Sequence, residues 1–430
     1  MNDGYEEVRI GPKKVKIPEE WQRVSLESIS KNSGQYGANQ SAIPFDENEY
    51  RYIRVTDLTE NGHLSNEEKK SIPKEDNEKY ELKNGDIVFA RTGTPGLTYV
   101  FNENDSNIDY AFAGYLIRFE LKDNIDSNYL SYYTQSYHYW SWIKSTQRST
   151  TLSNINASEF RTLPIIKPSS SEQRRIAEIL SIVDDAIQKT DEVIEKAERL
   201  KKGLMQDLLT KGIGHDEFKE VQIGPKTVEI PVEWDIKTLG NEEGLCKVET
   251  GGTPKTSTDE YWNGDIPWVT PTDITNNDQI YISDSERKIT KEGLRNSSAK
   301  LLPVGSILLT TRATIGEASI NTVPMATNQG FKSLICKEET NNEFLYYLIH
   351  QEKERLASLG GGSTFDEVSK KDVVGFEVVS PPVKEQKKIA KILTTIDSKI
   401  KKEDKYKERL KNLKKGMMQD LLTGKIRVNI

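Results

Sequence analysis

A chain that states the same phrase twice has to build the same unit twice. Ile10-Gly11-Pro12-Lys13-Lys14-Val15-Lys16-Ile17-Pro18-Glu19-Glu20-Trp21 returns 213 residues later as Ile223-Gly224-Pro225-Lys226-Thr227-Val228-Glu229-Ile230-Pro231-Val232-Glu233-Trp234. At the same offset, Glu172-Gln173-Arg174-Arg175-Ile176-Ala177 answers Glu385-Gln386-Lys387-Lys388-Ile389-Ala390, and Gly203-Leu204-Met205-Gln206-Asp207-Leu208-Leu209-Thr210 answers Gly416-Met417-Met418-Gln419-Asp420-Leu421-Leu422-Thr423. Two copies that associate symmetrically are related by a pseudo-two-fold axis, which suits a target that also comes in two halves.

At 430 residues the chain exceeds one ordinary core. The segments expected are 1–170, mixed strand and helix; 171–215, helical; 216–382, mixed again; and 383–430, helical. The two cysteines, Cys246 and Cys336, lie far apart in sequence and point to a reducing compartment. No signal-peptide core opens the chain, and no run of about 18 apolar residues could span a bilayer, so a cytoplasmic protein away from membranes is expected. The net charge of -7 lowers the expectation of nucleic-acid binding without excluding it, because a local basic patch sets such contacts.

The helical segments carry a heptad seam. Ile176, Leu180, Val183, Ile187, Thr190, Ile194 and Ala197 recur at spacings of four and three, and Ile389, Leu393, Ile396, Ile400, Glu403, Lys407 and Leu410 repeat those phases. Leu200, Leu204 and Leu208 are expected to extend the first seam after a shift of phase, and Leu413, Met417 and Leu421 the second. Ser169, Ser170 or Ser171 can cap the first helix, Pro381 and Pro382 lead into the second, and Gly212 and Gly424 follow the last turns. Each helix of roughly 40 residues is about 60 Å long. With one apolar stripe it needs a partner; the other copy, antiparallel, supplies one. The alternative is that each helix packs only on its own domain.

The globular segments diverge but keep landmarks. Tyr52–Leu58 aligns with Trp268–Ile274, and Gly85–Gly96 with Gly305–Gly316. The latter pair are apolar strands running into polar loops that hold Arg91, Thr92 and Thr94 in one copy and Thr311, Arg312 and Thr314 in the other. An arginine fork suits guanine or phosphate, against the plainer reading of a solvated or internally paired arginine. Two early glycine-marked loops offer Gln35, Tyr36 and Asn39, and Thr253 and Lys255, as hydrogen-bonding groups; such loops are more often simple turns. Arg54 and Thr270 stand at aligned positions. Lys144 and Arg148 follow the aromatic stretch Tyr137–Trp142, in which Trp140 and Trp142 read as core. Ser363 and Thr364 mark the corresponding stretch of the second copy. Trp21, Trp234, Trp262 and Trp268 read as core anchors.

Catalytic signatures are missing. The four histidines do not cluster, no zinc spacing occurs, and Thr250–Ser257 fails as a P-loop because Pro254, not glycine, precedes Lys255. Ser380-Pro381-Pro382-Val383 ends in valine rather than the aromatic of an amino-methyltransferase loop, and reads as a helix lead-in.

Together, Ile230–Trp234, Gly251-Gly252-Thr253-Pro254, Tyr261–Trp268, the Glu-Gln helix openings and the Leu-Leu-Thr endings closely resemble the specificity (S) subunits of type I restriction–modification systems, over essentially the whole chain. The resemblance implies an α+β fold: two pseudo-symmetric mixed α/β target-recognition domains separated by a long antiparallel two-helix coiled coil. It implies that each domain reads half of a bipartite double-stranded DNA target. It further implies two methylation subunits on the scaffold, restriction subunits in addition, no cofactor in this chain, and S-adenosylmethionine, ATP and Mg in the partners. The first copy departs from the pattern, with Gln35-Tyr36-Gly37 and Arg51-Tyr52-Ile53 in place of the Gly-Gly-Thr-Pro and Ile-Pro-Trp phrases. The rival readings are a DNA-modifying enzyme fused to a recognition module and a two-headed protein-interaction scaffold.

Overall fold

The structure, a computed structural model, describes residues 4–103, 107–147, 154–360 and 367–430. It divides into two compact units, one of Met1–Asp191 with Lys405–Ile430 and one of Glu192–Asp404. Both divisions fall inside the long helices, Ser170–Leu208 and Val383–Leu421. Each unit therefore owns half of each helix.

Unit 1 opens with the hairpin Tyr5–Ile10 and Lys13–Pro18, in which Ile10 faces Lys13. Gly11 turns it at φ +56°, with Pro12 next; a two-residue turn with glycine first matches the twist of the strands, which is why Gly-Pro recurs in both copies. Gln22–Ser25 then pairs with Pro164–Lys167, tying the start of the domain to its end. Between them lie two four-stranded sheets. One orders Gln35–Tyr36, Leu116–Phe119, Ile87–Ala90 and Thr98–Val100; the other orders Tyr110–Phe112, Tyr50–Ile53, Lys70–Ile72 and Ile43–Pro44. Trp21, Phe89, Phe119, Tyr129, Tyr133 and Phe160 fill the main core.

Unit 2 repeats this plan. Its hairpin is Phe218–Ile223 with Lys226–Pro231, turned by Gly224 at φ +55°, and Asp235–Thr238 pairs with Glu377–Ser380. A five-stranded sheet contains Cys246–Thr250, Lys332–Cys336, Ile307–Leu309, Ala318–Asn321 and Tyr281–Ile282; a three-stranded one contains Lys288–Ile289, Trp262–Val269 and Ala326–Thr327. Cys246 and Cys336, distant in sequence, face each other across the first sheet as free thiols with sulfurs 3.7 Å apart.

The repeated words of the sequence prove to be joints. In unit 1 the Trp21 indole N–H donates to both oxygens of Glu172 at 3.2 Å, and Gln173 accepts from the Asp126 backbone N–H at 2.9 Å. In unit 2 Trp234 donates to Glu385 at 3.0 Å, and Gln386 accepts from the Asn341 N–H at 2.8 Å. Buried indole and carboxylate satisfy each other, and the glutamine docks the long helix on the start of a domain helix. Ser169 caps the central helix, accepting from the Glu172 N–H at 3.3 Å. Gly212 and Gly424 follow the helix ends at φ +70° and +71°.

Each unit also pairs its two half-helices. In unit 1, Lys414 bridges Asp184 at 2.7 Å and Lys407 bridges Asp191, so partners climb one helix as they descend the other. In unit 2, Lys201 bridges Asp397 at 2.6 Å, and Leu204, Leu208 and Leu209 join the core of Ile389, Ala390 and Leu393. Antiparallel pairing and packing on the domain thus occur together. Ile176, Leu180, Val183, Thr190, Ile194, Ala197, Ile389, Leu393 and Leu410 are buried; Ile187, Ile396 and Ile400 are half-buried. The expected shift of phase does not occur. Leu200 and Leu413 are 56% and 53% exposed, and the unbroken spacing runs through Lys201 and Lys414, whose apolar stems line the seam while their ammonium groups reach the facing aspartates. Among the described residues no helix is long and apolar enough to cross a membrane.

Candidate nucleic-acid interface

In both units a tight turn presents the arginine. In unit 1 the strand Ile87–Ala90 ends in Arg91-Thr92-Gly93-Thr94-Pro95-Gly96, with Gly93 and Gly96 at φ +70° and +98°. A β-carbon on Gly96 would meet Ile143 at 2.9 Å, and the Gly96 carbonyl accepts from the Tyr139 hydroxyl at 2.7 Å. The helix Tyr137–Thr146 thereby holds the turn: Tyr139, Trp142 and Ile143 are buried, Trp140 is half-buried and Lys144 is exposed. Thr92 is half-buried and Thr94 exposed.

Arg91 is fixed on several sides. Its backbone N–H donates to Tyr115 at 3.0 Å and its carbonyl accepts from Ile155 at 3.0 Å. Its Nε donates to Asn154 Oδ1 at 3.2 Å, and its guanidinium lies 4.9 Å from the centre of the Tyr36 ring. The Tyr36 hydroxyl is held in turn by the Ala157 N–H at 3.1 Å. Gln35 is spent internally, donating to the Lys79 carbonyl at 2.9 Å and accepting from Arg118. Asn39 is exposed. Arg54 turns inward: it grips Asp57 through Nε at 3.1 Å and Nη2 at 2.8 Å, and donates to the Glu68 carbonyl at 2.8 Å. Arg148 lies outside the described residues.

In unit 2 the equivalent turn runs Thr310-Thr311-Arg312-Ala313-Thr314-Ile315-Gly316, with Ala313 and Gly316 at φ +66° and +87°. Thr311, equivalent to Arg91, is buried; its N–H donates to Gly330 at 2.8 Å and its hydroxyl accepts from Lys332 Nζ at 3.4 Å. The side chain of Arg312 is 42% exposed and sits 3.9 Å from Glu367, which also pairs at 3.3 Å with the buried Lys332. Thr314 is half-buried, and Lys255 is exposed. Thr253 bonds Gln329. Thr270 caps a short helix, donating to Asp273 through its N–H at 2.7 Å and its hydroxyl at 2.6 Å. Ser363 and Thr364 lie outside the described residues.

The early loops share a geometry that their sequences conceal. In unit 2 the Trp268 indole donates to the Gly252 carbonyl at 2.9 Å; in unit 1 the Tyr52 hydroxyl donates to the Ala38 carbonyl at 2.6 Å. Gly251 and Gly37 are obligatory, since a β-carbon would meet the Asn328 oxygen at 1.9 Å in one and the Phe112 oxygen at 2.3 Å in the other. Unit 1's departure from the Gly-Gly-Thr-Pro and Ile-Pro-Trp phrases is thus a change of side chain on an unchanged frame. Sequence reading missed Asn154, Tyr115, Glu367 and Lys332, which lie far from the arginines in sequence and reach the two turns only in the folded chain.

Comparison with known proteins finds the internal repeat matched in both copies. The model of the type I restriction modification DNA specificity domain matches residues 18–199 and 231–412, two spans at the offset of the internal repeat. The putative MjaX specificity subunit of Methanocaldococcus jannaschii is 30% identical over 99% of this chain and 97% of its own length. The MjaIX specificity subunit of the same organism is 41% identical over 46% of the chain, which spans less than half of that relative, 44%. The fold matches the solved S subunit of a type I restriction-modification system from M. genitalium with a TM-score of 0.54 at 15% identity, over 95% of this chain and 96% of that one. Two copies of one domain, matched at both positions and over most of the chain, place the protein in the family of type I restriction modification DNA specificity subunits.

Proposed function

We propose that the chain reads a bipartite duplex DNA target, each unit recognising one half-site from the rim that carries its arginine turn, and that it does so as the scaffold of a larger complex. Two methylation subunits dock on it, bind S-adenosylmethionine and methylate an adenine in each half-site; restriction subunits that use ATP and Mg join for cleavage. The chain itself supplies recognition and assembly in the cytoplasm, without a cofactor of its own. The observation that carries the reading is the double family match at the repeat offset, with an arginine turn at the same place in each copy. The divergence of the two rims favours two different half-sites, because base choice follows side-chain placement. An acidic total charge fits a reader whose partners neutralise part of the phosphate backbone. The test is to map methylated adenines in DNA exposed to the chain with its methylation subunit. An asymmetric two-part motif is expected. Modification by the chain alone, or methylation without a two-part motif, would overturn the reading.

A further inference from the structure

Unit 1 presents one arginine in a way that selects what it can bind, an inference that rests on the DNA-reading role above. The guanidinium carbon of Arg91 lies over the Tyr36 ring, 4.9 Å from its centre. Its Nε edge is taken by Asn154 at 3.2 Å. Among the described residues, neither terminal Nη has a partner. The ring contact and the Nε bond together restrain the guanidinium, leaving the two Nη N–H groups as an end-on fork of restricted direction. A phosphate also accepts such a fork, but it does so on every sequence and sets no base preference. A rigid planar fork is suited to two coplanar acceptors at fixed separation, which on a duplex are O6 and N7 of guanine in the major groove. Unit 2 is built otherwise, with buried Thr311 at the equivalent position and Arg312 beside Glu367.

The geometry points to Arg91 as the residue that reads a guanine in the half-site of unit 1, with Tyr36 and Asn154 as its positioning residues. The binding partner is the major-groove edge of a G·C pair, and the two positioning residues act only through Arg91.

The test uses the chain assembled with its methylation subunit and duplexes carrying the mapped target. Each guanine of the target is replaced in turn by 7-deazaguanine, which lacks the N7 acceptor. At one guanine the wild-type complex should bind about tenfold more weakly after replacement. Arg91→Met, which keeps the stem but removes every donor, should lose about tenfold to hundredfold on the unmodified target and show no further loss at that guanine. Tyr36→Leu and Asn154→Ala should blunt the same sensitivity and leave the other half-site untouched. Full retention of 7-deazaguanine sensitivity in Arg91→Met would overturn the assignment. So would equal weakening by Arg91→Ala on every sequence, the mark of a phosphate contact, or a half-site insensitive to Arg91 at all of its guanines. In these cases the two-part reading survives. Absence of any two-part methylated motif with the wild-type complex defeats both.

Discussion

In unit 1 a tryptophan, a glutamate and an arginine meet where the central helix begins; in unit 2 a tryptophan, a glutamate and a histidine meet where the C-terminal helix begins. Trp21 and Arg427 hold Glu172, and Trp234 and His215 hold Glu385, the last pair at 2.9 Å. Burial alone would raise the Glu172 carboxyl, but the bonds from Arg427, Ser169 and Trp21 outweigh it and hold it below the ordinary carboxylate range. A second matched set lies further along the helices. Tyr132 donates to Asp184 at 2.8 Å with Lys414 over its ring, and Tyr347 donates to Asp397 at 2.5 Å with Lys201 over its ring. The frame is common to both units down to individual hydrogen bonds, while the rims share a backbone and little else. Recognition can then diversify at the turns without disturbing the joints, because no joint residue lies in an arginine turn.

The largest effect should follow from breaking the frame. Trp21→Ala and Trp234→Ala each remove one of the largest fully buried side chains and one donor to a joint carboxylate, and each should cost about 3–5 kcal/mol. Urea titration followed by circular dichroism measures this. A shared frame requires losses of similar size; a cost below about 1 kcal/mol at either site would show that the two joints differ in kind.

The next effect separates the units by pH. Asp86, buried behind the arginine strand, is pushed up to about 6 by burial, against the Lys83 backbone bond and Arg118, which lower it; the equivalent residue in unit 2 is the buried Ser306. A carboxyl whose folded pKa exceeds its unfolded value binds protons more tightly in the folded state. Its contribution is therefore most favourable below about pH 4 and is lost as pH rises through 6, up to about 3 kcal/mol in all. Stability measured from pH 4 to 7 for the wild type and for Asp86→Ser should differ by a curve of that sign. Parallel curves would mean that the acid is ionised throughout.

Breaking the helix triads comes third. Asp184→Ala and Asp397→Ala each leave a tyrosine hydroxyl without its acceptor and a lysine without its counter-charge, at about 1–2 kcal/mol. The loss should be greater in unit 1, where the Lys414 side chain is 12% exposed against 30% for Lys201. Adding Lys414→Met to Asp184→Ala should recover part of it, because an uncompensated buried charge is worse than an apolar stem. No recovery would place the cost in the Tyr132 bond instead.

These joints also mark how far the sequence can be read. The duplicated Trp, Glu-Gln and Leu-Leu-Thr words were visible because both copies keep the same residues for the same contacts, and the seam was visible as far as apolar spacing carries it. Lys201 and Lys414 hid because a lysine at a seam position reads as a break until the aspartate opposite is known. Arg54 and Arg91 were indistinguishable in sequence, each just past a strand end with a threonine within two residues. Asp57, three residues on, draws the first inward, while the second meets Tyr36 and Asn154 only after strands distant in sequence come together. Tyr52 and Trp268 looked like a departure because the residue types differ, although both hold the same loop carbonyl.

That last equivalence yields the smallest and most discriminating test. Tyr52→Phe removes the hydroxyl that donates to the Ala38 and Gln40 carbonyls, Trp268→Phe removes the N–H that donates to the Gly252 carbonyl, and both leave an aromatic ring in the core. The lost hydrogen bonding should cost about 1 kcal/mol in each, with a further loss in Trp268→Phe for the volume it vacates. The clearer readout is the methylated motif. If the tether positions the loop for reading, Tyr52→Phe should relax base preference in one half-site and Trp268→Phe in the other, with the spacing unchanged. A motif sharp in both halves for both variants would confine the tether to stability. Relaxation of the same half-site by both would contradict the assignment of one half-site to each unit.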